Sequence, residues 1–276
     1  MNKNSKIKKH DPHPRFKDYI QCYWTIKCFD KELNAIHYTT LDAGLELIFN
    51  LSDPVECIVD NSSPVTIAGD FMVGSLARQI QIKPTGFISL FAVRFTSEGL
   101  YPFFSMPPVD LSDFCVEIEE VWELNGFGLS KKIHGTNRKS ERLIKTFEGF
   151  FERRINNFKT HSSNVEKAVA IIRSHKGQIP VEKLAKRLHI STRHLERKFT
   201  ERIGISPKQL CRIFRIKNVL FNLKGAECDW ASLAVENGYF DQAHFIHEFR
   251  FFTGQSPISY LAGECLLDRA ATNLNC

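Results

Sequence analysis

Arg193, Glu196, Arg197 and Thr200 are spaced i, i+3, i+4 and i+7, so on a helix they form one polar stripe, with Leu195 and Phe199 on the opposite side. A guanidinium offers a fork of donors that matches O6 and N7 of guanine, worth about 1–3 kcal/mol of discrimination per good pair. A glutamate between two arginines can accept from cytosine N4 or orient one of them. His194 and Lys198 flank the stripe and suit phosphate oxygens. Fifty residues further on, Ala243, Ile246 and His247 occupy the corresponding places, with Gln242 and His244 beside them. There a glutamine amide can read adenine, the Ala243 methyl can touch a thymine methyl, and His247 can donate to a base or a phosphate. Arg250 is the phosphate anchor of this second set, and His244 reads either as a neighbour of the bases or as an intramolecular bridge. The chemistry these residues point to is recognition of double-stranded DNA.

Such side chains need short helices to carry them. Val181, Leu184, Ala185 and Leu188 share one helical face, His189 and Ile190 break the helix, and Ser191 can cap the next one. Two short helices around a tight turn form a helix-turn-helix, whose second helix can lie in a major groove. The pattern then repeats: Leu195, Phe199, Gly204, Ser206 and Pro207 are matched by Phe245, Phe249, Gly254, Ser256 and Pro257, each at an offset of 50. Leu184-Ala185 returns as Leu233-Ala234 with one residue more in the second turn, where Gly238 can adopt the left-handed conformation that ends a helix. Asp241 takes the capping place of Ser191. Ser206-Pro207 and Ser256-Pro257 each start a further helix, serine as N-cap and proline at the first helical position.

Ser191-x-Arg193-x-Leu195-x-Arg197-x-Phe199, Gly204-x-Ser206-Pro207 and the run from Ala234 through Gly238-Tyr239, Asp241-Gln242, His244-Phe245, Phe249 and Thr253-Gly254 to Ser256-Pro257 resemble the DNA-binding domain of AraC-type transcriptional regulators, over roughly residues 164–262. The resemblance implies a bacterial regulator whose two recognition helices enter successive major-groove segments of one promoter face. It implies operator DNA and RNA polymerase as partners, together with a small-molecule effector and a second copy of the chain. Val219 departs from the pattern, being bulkier than the alanine usual there, and bears on the close packing of the helix that joins the two units.

At 276 residues, 43% hydrophobic and 25% charged, the chain has material for two cored domains and is not of disordered composition. No apolar run reaches about 18 residues and the N-terminus lacks a signal-peptide pattern, so a cytoplasmic protein is expected. Eight cysteines, at 22, 28, 57, 115, 211, 228, 265 and 276, show no Cys-x-x-Cys and read as reduced thiols packed like small apolar residues. Charge is unevenly spread: Lys176–Lys217 holds twelve Lys/Arg against three Asp/Glu, a net of +9, while Gly225–Ala262 holds one Arg against five Asp/Glu, a net of −4. The first helix-turn-helix therefore has the field to hold phosphates and the second has little.

The expected fold class is α+β, with a β-rich barrel-like N-terminal domain followed by an all-α domain of two helix-turn-helix units. Residues 1–13, with Lys3, Lys6, Lys8 and Lys9, read as a basic flexible tail, or as an arm that touches DNA. Residues 14–160 form a sensing or assembly domain, 164–263 the DNA-binding domain and 264–276 a tail. Strands are predicted at Tyr19–Lys27, Ala35–Thr40, Leu45–Leu51, Val55–Val59, Val65–Ala68, Gln79–Lys83 and Phe87–Phe95, as a barrel or a sandwich, with helices at Leu111–Leu124 and Ser140–Phe158. Tyr23-Trp24, Asp42–Ile48, Val93-Arg94-Phe95 and Gly99-Leu100 resemble, more loosely, an uncharacterised N-terminal domain carried by some AraC-type proteins. Arg94, a lone charge in an apolar strand, is the candidate to pair an anionic effector, or else a structural carboxylate. His37 is alone among the strands, so no metal is expected there, nor any cofactor or catalysis. Leu143, Phe147, Phe150 and Phe151 form a stripe for packing on the N-terminal domain or for a homodimer seam. Two rival readings remain open: a DNA-repair or cysteine-based enzyme using the same module, for which Cys22, Cys28, Cys57 and Cys115 are too scattered, and an adaptor that kept the fold without binding DNA.

Overall fold

The structure is a computed structural model that describes residues 8–28, 36–38, 44–59, 62–74, 80–97, 99, 115–118, 123–156, 164–223 and 229–262. Its strands are β1 Lys8–His10, β2 Ile20–Cys28, β3 Ile36–Tyr38, β4 Glu46–Asn50, β5 Val55–Val59, β6 Val65–Ile67, β7 Phe71–Val73, β8 Ile80–Pro84, β9 Ile88–Phe95 and β10 Cys115–Glu117. They pair antiparallel in two sheets, a six-stranded one in the order β1-β2-β9-β4-β7-β10 and a four-stranded one in the order β3-β8-β5-β6. Of the two arrangements expected, the sandwich is the one formed: among the described residues the sheets stack face to face and do not close into a barrel.

Period-two alternation gives the large sheet two buried faces. Trp24, Ile26, Ile48, Phe71, Val73, Leu90 and Ala92 meet the small sheet, whose Val55, Cys57, Ile67, Ile80 and Ile82 complete that core. The alternate residues Tyr23, Leu47, Phe49, Met72, Phe91, Val93 and Phe95 face a layer of two helices, α1 Glu123–His134 and α2 Ser140–Asn156. Leu143, Phe147 and Phe151 of α2 are fully buried there, with the Phe147 ring 5.9 Å from Tyr23 and 6.2 Å from Phe95. The apolar stripe of α2 is thus occupied by its own sheet. Tyr23 and the His13 backbone N–H both donate to Glu148, at 3.2 and 3.0 Å, and Arg15 pairs with Glu152, so the segment before β2 is tied down as well.

Three expectations change. Lys8–His10, drawn as part of the tail, pairs with Tyr23–Thr25 as an edge strand. Cys115–Glu117, drawn as helix, is strand β10, and the helix begins at Glu123 and contains Gly126 and Gly128, which weaken its sequence signal. Strand β7, three residues long, was not foreseen. The tail residues 1–7 and 264–276 lie outside the described residues, as does most of the expected helix at Leu111–Leu124.

Arg94 is 4% exposed and its guanidinium is directed at Glu46, fully buried beside it on β4. Trp24 Nε1 donates to the other Glu46 oxygen at 3.0 Å. Burial pushes the Glu46 carboxyl up, opposed by Arg94 and Trp24. The structural-carboxylate reading of Arg94 is what the geometry contains, and an anionic effector would have to displace Glu46 to reach it.

The helical layer is latched at Asp70, 6% exposed, which accepts from Asn50 N (2.9 Å), Ser130 Oγ (2.6 Å) and His134 Nε2 (2.9 Å). Asp70 raises the His134 pKa above 6.5, chiefly through the hydrogen bond, against the opposing effect of burial. A histidine raised on folding stabilises the fold fully below its free value and loses that contribution as pH climbs through the raised one. The melting temperature is expected to fall as pH rises above about 6.5, and His134→Gln to flatten that slope. Identical slopes in wild type and variant, followed by thermal melts, would exclude the latch.

Candidate nucleic-acid interface

The helical domain comprises α3 Asn164–Ser174, α4 Val181–Arg187, α5 Thr192–Ile203, α6 Pro207–Asn222, α7 Trp230–Glu236, α8 Gln242–Thr253 and α9 Pro257–Ala262. In the first unit Leu184 and Ala185 of α4 pack on Leu195, Phe199 and Ile203 of α5. The turn between them passes through His189 at φ 55°, a left-handed conformation taken without glycine, and Ile190 N then donates back to Ala185 O at 3.2 Å. Ser191 accepts from His194 N, and Gly204 at φ 85° closes the helix.

These caps fix the rotation of α5 and leave Arg193, Glu196, Arg197 and Thr200 exposed on one side. Arg197 donates to Glu201 at 3.2 Å and Lys198 to the same carboxylate at 2.8 Å. The Lys198 hydrogen bond, with Lys198 and Arg197 charges beside it, draws the Glu201 carboxyl below its usual range. Sequence reasoning missed Glu201, although its i+3 and i+4 spacing from the two cations was visible. The Thr200 hydroxyl donates to Glu196 O at 3.1 Å, so toward solvent it offers a methyl and an acceptor. His194 and Lys198 are half-buried at the edge of the stripe.

In the second unit Asp229 and Asp241 cap α7 and α8, the latter accepting from His244 N at 2.7 Å. Gly238 takes φ 74° and Gly254 φ 68°, and Phe245 and Phe249 repeat the core of Leu195 and Phe199. Gln242, Ala243, His247 and Arg250 are exposed, whereas Ile246 packs against the core. His244 Nδ1 accepts from Phe240 N at 3.4 Å and its ring meets Tyr239 edge-on at 5.5 Å, contacts to the turn before its own helix that leave the side chain exposed.

Helix α6 joins the units. Leu210, Ile213, Ile216, Val219 and Leu220 are buried in the shared core, and Val219, 0% exposed, is accommodated at the close contact. Arg212 forms a forked pair with Glu248 of α8 (2.9 Å from Nε, 2.7 Å from Nη2) and lies over the rings of Phe251 and Phe252, at 4.8 and 5.3 Å. Arg215 donates to Gly238 O at 3.1 Å and lies 5.3 Å from the Tyr239 ring centroid. The charge count read from sequence therefore needs dividing. Arg212 and Arg215 brace the second unit, while Asp229, Asp241 and Glu248 serve as caps or as a partner.

A second feature lies where the two domains meet: a cleft of about 540 Å³. Lys17, Ile20 and Gln21 border it from the sandwich, and Lys176, Phe214 and Phe221 from α6 and the end of α3.

Compared with known proteins, residues 184–263 match the family described as a helix-turn-helix domain, and residues 8–117 match a domain of unknown function, DUF6597. An uncharacterized HTH-type transcriptional regulator from Haemophilus influenzae is 29% identical over 92 residues, 33% of this chain. The chain thereby spans about a third of that relative, 31% of its length. Among solved structures, ToxT from Vibrio cholerae aligns over 94% of this chain and 97% of its own at 14% identity, with a TM-score of 0.48.

The Arg212–Glu248 pair is testable by itself. Removing one partner leaves the other nearly buried and unmatched, at a cost of about 3 kcal/mol. Urea unfolding of Arg212→Ala and of the double variant Arg212→Met/Glu248→Leu is expected to show the single change as the more damaging, and the reverse order would mean the pair contributes little.

Proposed function

We infer that this chain, AraC-type in its C-terminal tandem helix-turn-helix domain, is a sequence-specific DNA-binding transcriptional regulator. The observation that carries the reading is the exposed stripe Arg193, Glu196, Arg197 and Thr200 on a helix capped at both ends, beside a second helix of the same build held by α6. Arg193 and Arg197 read guanines, Glu196 accepts from cytosine or steers Arg197, and His194 and Lys198 hold phosphates. The second unit contributes Gln242, Ala243 and His247 toward bases and Arg250 toward a phosphate.

The N-terminal domain supplies control. Its core is filled with side chains and its buried arginine is paired, so the effector is assigned to the cleft between the domains. Lys17 lines it from one side and Lys176 and Lys217 from the other, outnumbering the single carboxylate of Asp11, with Ile20, Phe214 and Phe221 as apolar wall. Those groups suit a small anion with an apolar body, and a ligand gripping both sides would set the helix-turn-helix domain relative to the sandwich. RNA polymerase at the promoter and a second copy of the chain belong to the same reading.

Selection from a random DNA library with the full-length chain is expected to return two short blocks on one face of the duplex, about one helical turn apart. Arg193→Ala and Arg197→Ala should each weaken binding by about 1–3 kcal/mol and relax preference at one position of the first block. Unchanged affinity and preference in both variants would leave the adaptor reading standing instead.

A further inference from the structure

The two helix-turn-helix copies differ by one residue in the turn, and the structure identifies which residue is the extra one. In the first copy the left-handed His189 is followed by Ile190, which bonds back to Ala185 O and packs on the core, and then by the cap Ser191. In the second, the left-handed Gly238 is followed by Tyr239, which bonds back to Ala234 O at 3.0 Å and is 4% exposed. Tyr239 therefore does the work of Ile190. Phe240 is the insertion, placed between that plug and the cap Asp241, and it is 90% exposed.

A single exposed apolar side chain needs no explanation by itself. Phe240 differs from one in its setting. It immediately precedes the N-cap of α8, at the end of the helix where Gln242 and Ala243 are exposed, and recognition helices contact base edges with their N-terminal residues. A residue ahead of an N-cap commonly folds back on the fourth helical residue as a staple, here Phe245, but that ring is covered by Tyr239 at 5.3 Å and Trp230 at 6.1 Å. The turn beneath Phe240 is also pinned: Arg215 holds Gly238 O at 3.1 Å, and Phe240 N is bonded to His244 at 3.4 Å. A large apolar ring is presented on a fixed support, at the end of the helix that meets the bases.

We propose that Phe240 is a specificity-determining residue that reads thymine through apolar contact with the C5-methyl group in the major groove. Apolar side chains recognise that methyl because no other base carries one. The assignment rests on the DNA-binding reading above, and it gives the second unit a means of reading sequence that does not draw on positive charge.

The test uses the full-length chain and duplexes it selects from a random library, with each thymine replaced in turn by uracil, which removes the C5-methyl alone. Wild type is expected to lose about fourfold in affinity at one or two thymines of the second block and nothing in the first, the worth of one methyl-sized group. Phe240→Ala should lose the same factor on thymine DNA and be indifferent to uracil, and Phe240→Leu should retain most of the preference. Circular dichroism melts check that both variants fold, as expected for an exposed position. Uracil indifference of the wild type, or a uracil effect that persists in Phe240→Ala and vanishes in Ala243→Gly, overturns the proposal while leaving DNA binding intact. Failure of the wild type to select any sequence removes both readings.

Discussion

Arg212 reaches from the middle of α6 to Glu248 on the second recognition helix, and the spatial relation of the two units depends on that pair and on the apolar seam beneath it. Helices α4 and α7 have seven residues each, too few to persist without packing. Leu210, Ile213, Ile216, Val219 and Leu220 give both units a common core. The forked pair adds direction to that cohesion, since a guanidinium satisfies a carboxylate in one plane only. Arg215, one turn away, locks the second turn by its backbone. Together they make the connecting helix a structural member whose two central arginines are engaged within the protein.

The sandwich follows a similar economy. Its large sheet is buried on both sides, so the central strands β4 and β9 are buried at every position and can admit a charge only if a partner lies on the neighbouring strand. Glu46 opposite Arg94 meets that condition. With the space between the sheets filled by Trp24, Phe71 and the small sheet's isoleucines, room for a ligand is found at the rim, where the sandwich meets α3 and α6. On the proposed reading, a ligand there would act on the helical domain with no signal crossing the sandwich.

Much of this was legible in the amino-acid order because it is local. Caps at Ser191, Ser206 and Asp241, the helix-ending glycines, the α5 stripe and seven of the strands follow from spacing over ten residues or fewer. Strand β7, Phe71-Met72-Val73, shows no polar–apolar alternation, unlike the equally short β3 and β6, and β10 lay in an apolar stretch where helix and strand read alike. What the order could not reveal is pairing at a distance: Arg212 with Glu248, Asp70 with His134, Arg94 with Glu46. Counting charges along the chain gave the right totals for each unit yet counted Arg212 and Arg215 toward the field for phosphates when they are engaged inside. The surplus residue in the second turn was countable, but only the back-bonds of Ile190 and Tyr239 tell which residue it is.

Helix α6 has 16 residues, and at about 1.5 Å per residue it is a strut roughly 24 Å long, capped at its start and braced at its middle. A strut does not stretch. On a duplex that turns once in about 10 base pairs, inserting a single pair between the two contacted segments swings one away from the other by roughly 35°. On the two-block reading proposed above, such a member would constrain how binding sites drift in a genome: letters within a block would be exchanged one by one at graded cost, while a gain or loss of length between blocks would strain both contacts in a single step.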